Sequence, residues 1–154
     1  MQTTGRVEAV CVGERRGRPK QMVGRAWLEE NWGIARDIHA GIWPRQISLL
    51  AGEILDACRG KAKTVDIAPG ACGENILTRG LEFSTLQIGD HLEIGEVVLE
   101  ITEVGRGALK LLLARVLHGG EVAPGSLITS KKRQHSFAIS KRLQTTLAEC
   151  HLLY

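Results

Sequence analysis

Residues 36–50 read RDIHAGIWPRQISLL and gather Asp37, His39, Arg45, Gln46 and Ser48 into twelve positions, with Gly41 and Pro44 bending the chain between them. An acid two residues from a histidine can orient an acid/base imidazole or an anion ligand, and on an extended segment the two side chains would share one face. A lone histidine is more often a hydrogen-bonded structural group, and the local sequence by itself favours that reading. Arg45 offers a planar fork that matches phosphate or carboxylate, and Gln46 supplies both a donor and an acceptor. A helix opening just after them would add free N–H groups to an anion site. An ordinary surface arginine is an equal alternative at Arg45.

A second group lies in APGACGEN, residues 68–75. Gly73, Glu74 and Asn75 follow a Pro69-Gly70 turn, and such a loop can bring backbone amides close to a ligand. The same residue types are common in plain turns. Cys72 adds a thiol nucleophile, although a lone cysteine is more often a small buried hydrophobe. The four cysteines, Cys11, Cys58, Cys72 and Cys150, stand far apart with no C-x-x-C pair. That spacing argues against a zinc site or a disulfide framework. A soluble cytoplasmic protein with free thiols is the simplest expectation.

The elements that must position these residues read as mainly β. GRVEAVCVG is a strand with Val7, Ala9 and Cys11 on one face at period two, and ERRGRPK after it is a charged turn. Residues 21–35 give mixed signals. SLLAGEILDACRG predicts a helix over about 49–59, with Ser48 as N-cap, a stripe of Leu50, Ile54, Leu55 and Cys58, and Gly60 at the C-terminal turn. LQIGDHLEIGEVVLEITEV predicts two strands joined at glycines. LKLLLARVL suits a strand or a short helix, and SLIT a last strand. Short apolar runs, 18 glycines and only 4% aromatic residues favour a turn-rich β fold whose core is Val, Ile, Leu and Ala.

The chain of 154 residues is one domain by size. The basic residues are unevenly spread: Lys131, Lys132, Arg133, Lys141 and Arg142 face Glu149 alone in the last 24 residues, and the rest is near neutral. A neutral body with a basic tail is a poor footprint for nucleic acid, and the tail reads as a solvated segment. A domain at 1–130 and a tail at 131–154, with a candidate helix from about Lys141 to Cys150, follow. The N-terminus lacks the apolar stretch of a signal peptide, and LKLLLARVL is broken by charge, so no membrane span is expected.

In order, GRVEAVCVGERRGRPK, GIARDIHAG, RQISLLA, APGACGENILTRGLEF, LQIGDHLEIGEVVLEITEVGRG and ARVLHGGEVAPGS resemble the MOSC domain, the molybdenum cofactor sulfurase C-terminal type, in its small stand-alone bacterial form. The resemblance runs over most of residues 5–128 and implies a β-barrel-like domain with a few short helices. It implies a pocket lined by Asp37, His39, Gly41, Arg45, Gln46, Ser48, Gly73, Glu74 and Asn75 that receives the molybdenum cofactor or a pterin-phosphate precursor. The implied partners are enzymes of molybdenum cofactor biosynthesis or a molybdoenzyme. Three positions depart from the family pattern: Arg36 stands where a glycine is usual, Pro44 where a polar residue precedes the Arg-Gln pair, and Ala108 where many members carry a sulfur-carrier cysteine. Only LKLL fills the stretch that follows. Sulfur transfer would then fall to Cys72, the thiol beside a pocket motif; without it the chain is a cofactor carrier or regulatory binding module. A part in a molybdenum-dependent reductase of N-hydroxylated compounds is a third, weaker implication.

Overall fold

The first strand, β1 (Thr4–Val12), is long enough to pair with three neighbours in succession. Its start pairs with β11 (Leu127–Lys131), its middle with β6 (Ile76–Arg79) and its end with β2 (Gln21–Val23), all antiparallel. The computed structural model describes residues 2–61 and 67–133. Between these strands run β3 (Ala26–Glu29), β4 (Gly33–Ile34), β5 (Ile47–Ala51), helix α1 (Gly52–Lys61), β7 (His91–Ile94), β8 (Val97–Val104), β9 (Leu112–His118) and β10 (Gly120–Val122). The main sheet runs β11-β7-β8-β9-β5-β6-β1, and the β1–β11 pairing closes it into a seven-stranded barrel. Closure leaves no open sheet edge among those seven strands. A small sheet, β10-β3-β4, flanks the barrel.

The fold is mainly β with one α-helix among the described residues, as the sequence predicts. LKLLLARVL resolves as strand, and residues 21–35 hold β2, β3 and β4. The helix begins later than expected. SLLA belongs to β5, whose five residues are all buried, and Ser48 caps nothing. The strand pairs in parallel with β6 on one side and antiparallel with β9 on the other, and its two faces are buried in different clusters, Ile47 and Leu49 in one and Leu50 in the other, so it reads as mostly apolar. Parallel pairing of β5 with β6 demands a long crossover. Helix α1 supplies it and continues through Gly60, which lies inside the helix rather than at its end.

The alternation in β1 is also interrupted. A bulge between Val7 and Ala9 shifts the register against β6. Val7 and Val10 therefore point into the barrel with Leu49, Ile76, Leu92 and Leu99, while Ala9 and Cys11 join Leu50, Leu55 and Leu77 in a second apolar cluster. An extra residue in one strand flips the faces that follow it. Cys58, expected on a buried stripe, is only partly buried.

Strand β11 extends to Lys131, and Asp90 takes the Lys132 ammonium and the Arg133 N–H. Residues 134–154, and with them the expected tail helix and Cys150, lie outside the described residues. Among the described residues no helix is long and apolar enough to cross a membrane.

Candidate functional site

The hairpin between β1 and β2 carries Glu14, Arg15, Arg16, Gly17 and Arg18, all exposed. Its neck is gripped from two sides. The Gly13 N–H donates to Asp37 Oδ1 at 3.0 Å, and the Ile38 N–H donates to the Gly13 carbonyl at 2.7 Å. On the other side the Lys20 N–H donates to the Gly70 carbonyl at 2.9 Å. Gly70 has φ +91°, and a Cβ there would sit 2.1 Å from the Lys20 carbonyl, so only glycine allows this approach.

Asp37 does not share an extended face with His39. The chain turns here, with the Ala40 N–H donating to the Asp37 carbonyl. Buried Asp37 Oδ2 accepts from Lys20 Nζ at 3.0 Å and from the His39 N–H at 2.9 Å. Burial opposes its ionisation, but hydrogen bonds from His39 and Gly13 and the Lys20 charge win and hold the carboxyl well below the ordinary range. Lys20 is buried too. Desolvation pulls its ammonium below the usual lysine value, against the pull of Asp37 and Glu74. Its Nζ also lies 2.5 Å from His39 Nδ1.

Gln46, Ser48 and Asn75 are fully committed inside the protein. Gln46 Nε2 donates to Asn31 Oδ1 and the Gly41 carbonyl, and its Oε1 accepts the Val116 N–H at 2.9 Å. Asn75 Oδ1 accepts the Ser48 N–H at 3.0 Å, and its Nδ2 donates to the Cys11 carbonyl at 3.1 Å. Ser48 Oγ donates to the Gly73 carbonyl and accepts the Asn75 N–H, each at 3.0 Å. These side chains pin the 41, 73 and 75 backbones to β5, β1 and β9. Glu74 is buried; Oε1 accepts the Gly70 N–H, and Oε2 has no partner among the described residues. Arg45 is half-exposed and pairs with Glu103 at 2.9 Å. No helix N-terminus stands beside it, since α1 starts at Gly52.

What these contacts frame is a cavity of about 290 Å³. Arg15, Arg16, Arg18 and His39 supply its polar rim, Ile38, Trp43, Leu111 and Leu113 its apolar walls, and Ser48, Cys72, Gly73 and buried Lys20 the remaining lining. Of the nine binding positions expected from sequence, His39, Ser48 and Gly73 reach this cavity, and so does Cys72. Asp37, Gln46, Glu74 and Asn75 are buried behind or beside it, while Gly41 and Arg45 do not line it. The sequence alone gives the arginines of the charged turn no special place. The signal was present in the ERRGR run, but nothing local shows that it folds over residues 38–43.

Arg15, Arg16 and Arg18 form no ion pair among the described residues. A larger hollow of about 490 Å³ is lined by His91, Lys131, Lys132 and Arg133. There Lys131 is paired with Glu93 and Lys132 with Asp90. Burial, then Glu74 and Cys58, pushes the Cys72 thiol up, and burial and Glu74 push Cys11 up to about 12. Among the described residues no three His, Cys, Asp or Glu side chains gather to hold a metal ion.

Two departures from the family pattern acquire a structural meaning. Arg36 has φ +68°, the left-handed conformation a glycine would adopt without strain. Ala108 is exposed on the turn between β8 and β9, and its neighbours Leu109 and Leu111 pack on the same cluster as Cys72.

The MOSC domain model matches residues 35–107, a little under half of the chain, and over that stretch the chain is similar to the MOSC domain. The match begins after the arginine hairpin. Among solved structures, the YuaD protein from Bacillus subtilis superposes with a TM-score of 0.74 at 15% identity, over 87% of this chain and 99% of that one. YiiM from Geobacillus stearothermophilus gives 0.67 at 14%, over 86% and 77%, and YiiM from Escherichia coli 0.60 at 20%, over 87% and 71%. At these identities the likeness establishes the shared fold. No curated protein sequence matches. The MOSC family is associated with the molybdenum cofactor.

Proposed function

We propose that this protein binds the molybdenum cofactor or a pterin-phosphate precursor in the cavity between the 13–20 hairpin and residues 38–43. One observation carries the reading: three arginines without ion-pair partners among the described residues stand at one rim of a cavity whose walls include an indole and two leucines. Guanidinium forks match phosphate oxygens in pairs, and an aromatic and aliphatic wall suits a flat ring. The cavity's size sits near the low end of the roughly 300–1,000 Å³ of small-molecule sites. Arg15, Arg16 and Arg18 would hold the phosphate, His39 would donate a hydrogen bond, and Trp43, Leu111 and Leu113 would shield the ring from water. The bound group would supply the metal and sulfur chemistry. In this reading the protein is a carrier, and its partners are enzymes of cofactor biosynthesis or a molybdoenzyme.

Calorimetric titration with a pterin phosphate tests it. Each charge-assisted contact contributes about 1.5–3 kcal/mol when shielded and less at an exposed rim. Replacing Arg15, Arg16 and Arg18 together by Ala should therefore weaken binding about a hundredfold, and added salt should weaken the parent. The melting temperature should stay put. Equal affinity in parent and triple variant would sink the reading.

A second reading, sulfur transfer through Cys72, is favoured by the place of that thiol on the cavity wall beside the turn that carries Ala108. A Cys72 persulfide, loaded by a persulfide donor, would pass its outer sulfur to an acceptor nucleophile. The S–S bond would break with its electron pair returning to Cys72 as thiolate. Burial holds the resting thiol protonated, so labelling by iodoacetamide should be slow near neutrality and accelerate with pH. Bound pterin phosphate should protect Cys72. Labelling indifferent to the ligand leaves the carrier reading alone.

A further inference from the structure

Lys20 is 3% exposed, so its ammonium is not offered to a ligand in the way the rim arginines are. It is spent on Asp37 Oδ2 at 3.0 Å and on His39 Nδ1 at 2.5 Å. An ammonium has N–H donors and no acceptor, so the ring nitrogen that faces it must present its lone pair. A neutral imidazole that accepts at Nδ1 carries its hydrogen on Nε2. Flipping the ring would place a C–H against the ammonium, which is repulsive at this separation.

The competing arrangement has Nδ1–H donating to Asp37 Oδ2. That pair is 3.4 Å apart, beyond the usual N–H···O range of about 2.7–3.2 Å. The same oxygen already accepts from Lys20 and from the His39 N–H. The ring is a quarter exposed, and His39 lines the cavity. Trp43 Nε1 donates to the His39 carbonyl at 2.7 Å, which fixes the backbone beneath the ring.

We infer that Lys20 is a positioning residue that locks His39 as an Nε2–H donor facing the cavity, where it meets an anionic oxygen of the ligand. The ligand half of this inference rests on the binding reading above, and the tautomer half stands without it. The arrangement explains why a lysine is buried behind a cavity rimmed by arginines. Arginines at the rim attract the anion, and Lys20 sets the direction in which one neutral donor points.

Nitrogen-15 labelling of histidine in the full chain reads the tautomer directly. Spectra at about pH 8, above the ordinary histidine range near 6.5, should show His39 with bare Nδ1 and protonated Nε2. A His39→Gln variant assigns its signals among the five histidines. Lys20→Met should reverse the pattern, with Nδ1–H turning to Asp37. Protonated Nδ1 in the parent, or an unchanged pattern in Lys20→Met, overturns the lock. If Lys20→Met does not fold, the parent spectrum alone decides. Inorganic phosphate should shift the Nε2–H signal of the parent, and Lys20→Met should bind it about tenfold more weakly. Phosphate that binds by calorimetry without moving that signal overturns the donor role while sparing the anion reading. Phosphate that does not bind at all overturns both.

Discussion

The 36–48 segment and the 13–20 hairpin face the same cavity, yet their polar residues are used in opposite ways. In the first, Asp37, Gln46 and Ser48 are buried and hydrogen-bonded to the backbone of Gly13, β9 and the 73–75 loop respectively. In the second, Arg15, Arg16 and Arg18 are exposed and unpaired among the described residues. A polar side chain inside a protein is costly unless its partners are supplied, and once supplied they leave nothing for a ligand. The difference teaches that the segment richest in chemistry-bearing residues is largely the frame of the site. In the proposed binding reading, the plainer charged turn supplies the cations that are free to meet a ligand.

The largest expected effect breaks the frame. Gln46→Ala strips partners from the buried Val116 N–H and the Gly41 carbonyl, and should cost about 3 kcal/mol in urea unfolding. Pterin-phosphate affinity of the folded fraction should change little. A loss of binding without a loss of stability would move Gln46 into the ligand site and dissolve the contrast.

Next comes acid stability. Asp37 is ionised more readily in the folded protein than in the unfolded chain. Its contribution is therefore fully present above the ordinary aspartate value of about 3.9 and is lost as pH falls below it toward the lower folded value. Urea midpoints measured from neutral to acid pH should drop across that interval. In Asp37→Asn the drop should be shallower, from a lower neutral starting point, because Lys20 has lost its counter-charge. An identical acid limb in both proteins would place the source elsewhere.

Arg36→Gly should raise stability by about 0.5 kcal/mol. Relief of a left-handed arginine, about 1–2 kcal/mol, outweighs the extra entropy that glycine gives the unfolded chain. A thermal melt that drops instead would show that the Arg36 side chain holds the turn.

Smallest of all is Arg45→Ala. Its exposed pair with Glu103 contributes within about 0.5 kcal/mol. Pterin-phosphate affinity should stay within about twofold of the parent, beside the hundredfold loss expected from the hairpin arginines. A tenfold loss would return Arg45 to the binding set.

How far the sequence reached can be followed residue by residue. The strand pairs around Gly95 were legible because alternation with one buried face is a local pattern: Leu92 and Ile94 on β7, and Val97, Leu99 and Ile101 on β8, all turn inward. The helix was legible as an element but not at its start. SLLA has the apolar content of a helix face, and only its pairing with β6 and β9 makes it strand. His39 and Cys72 were found by type, and the structure brings both to one cavity.

By itself, then, the sequence determined a glycine-punctuated β chain with MOSC-like motifs and with a thiol and an imidazole near the site, because periodicity, turn chemistry and motif order are written along the chain. Only the tertiary structure decided which polar groups face inward. Whether Gln46 meets the Val116 N–H, or Lys20 meets His39 Nδ1, depends on strands and turns far apart in sequence. A hydrogen bond needs its partner within about 3 Å, and no local pattern encodes that distance.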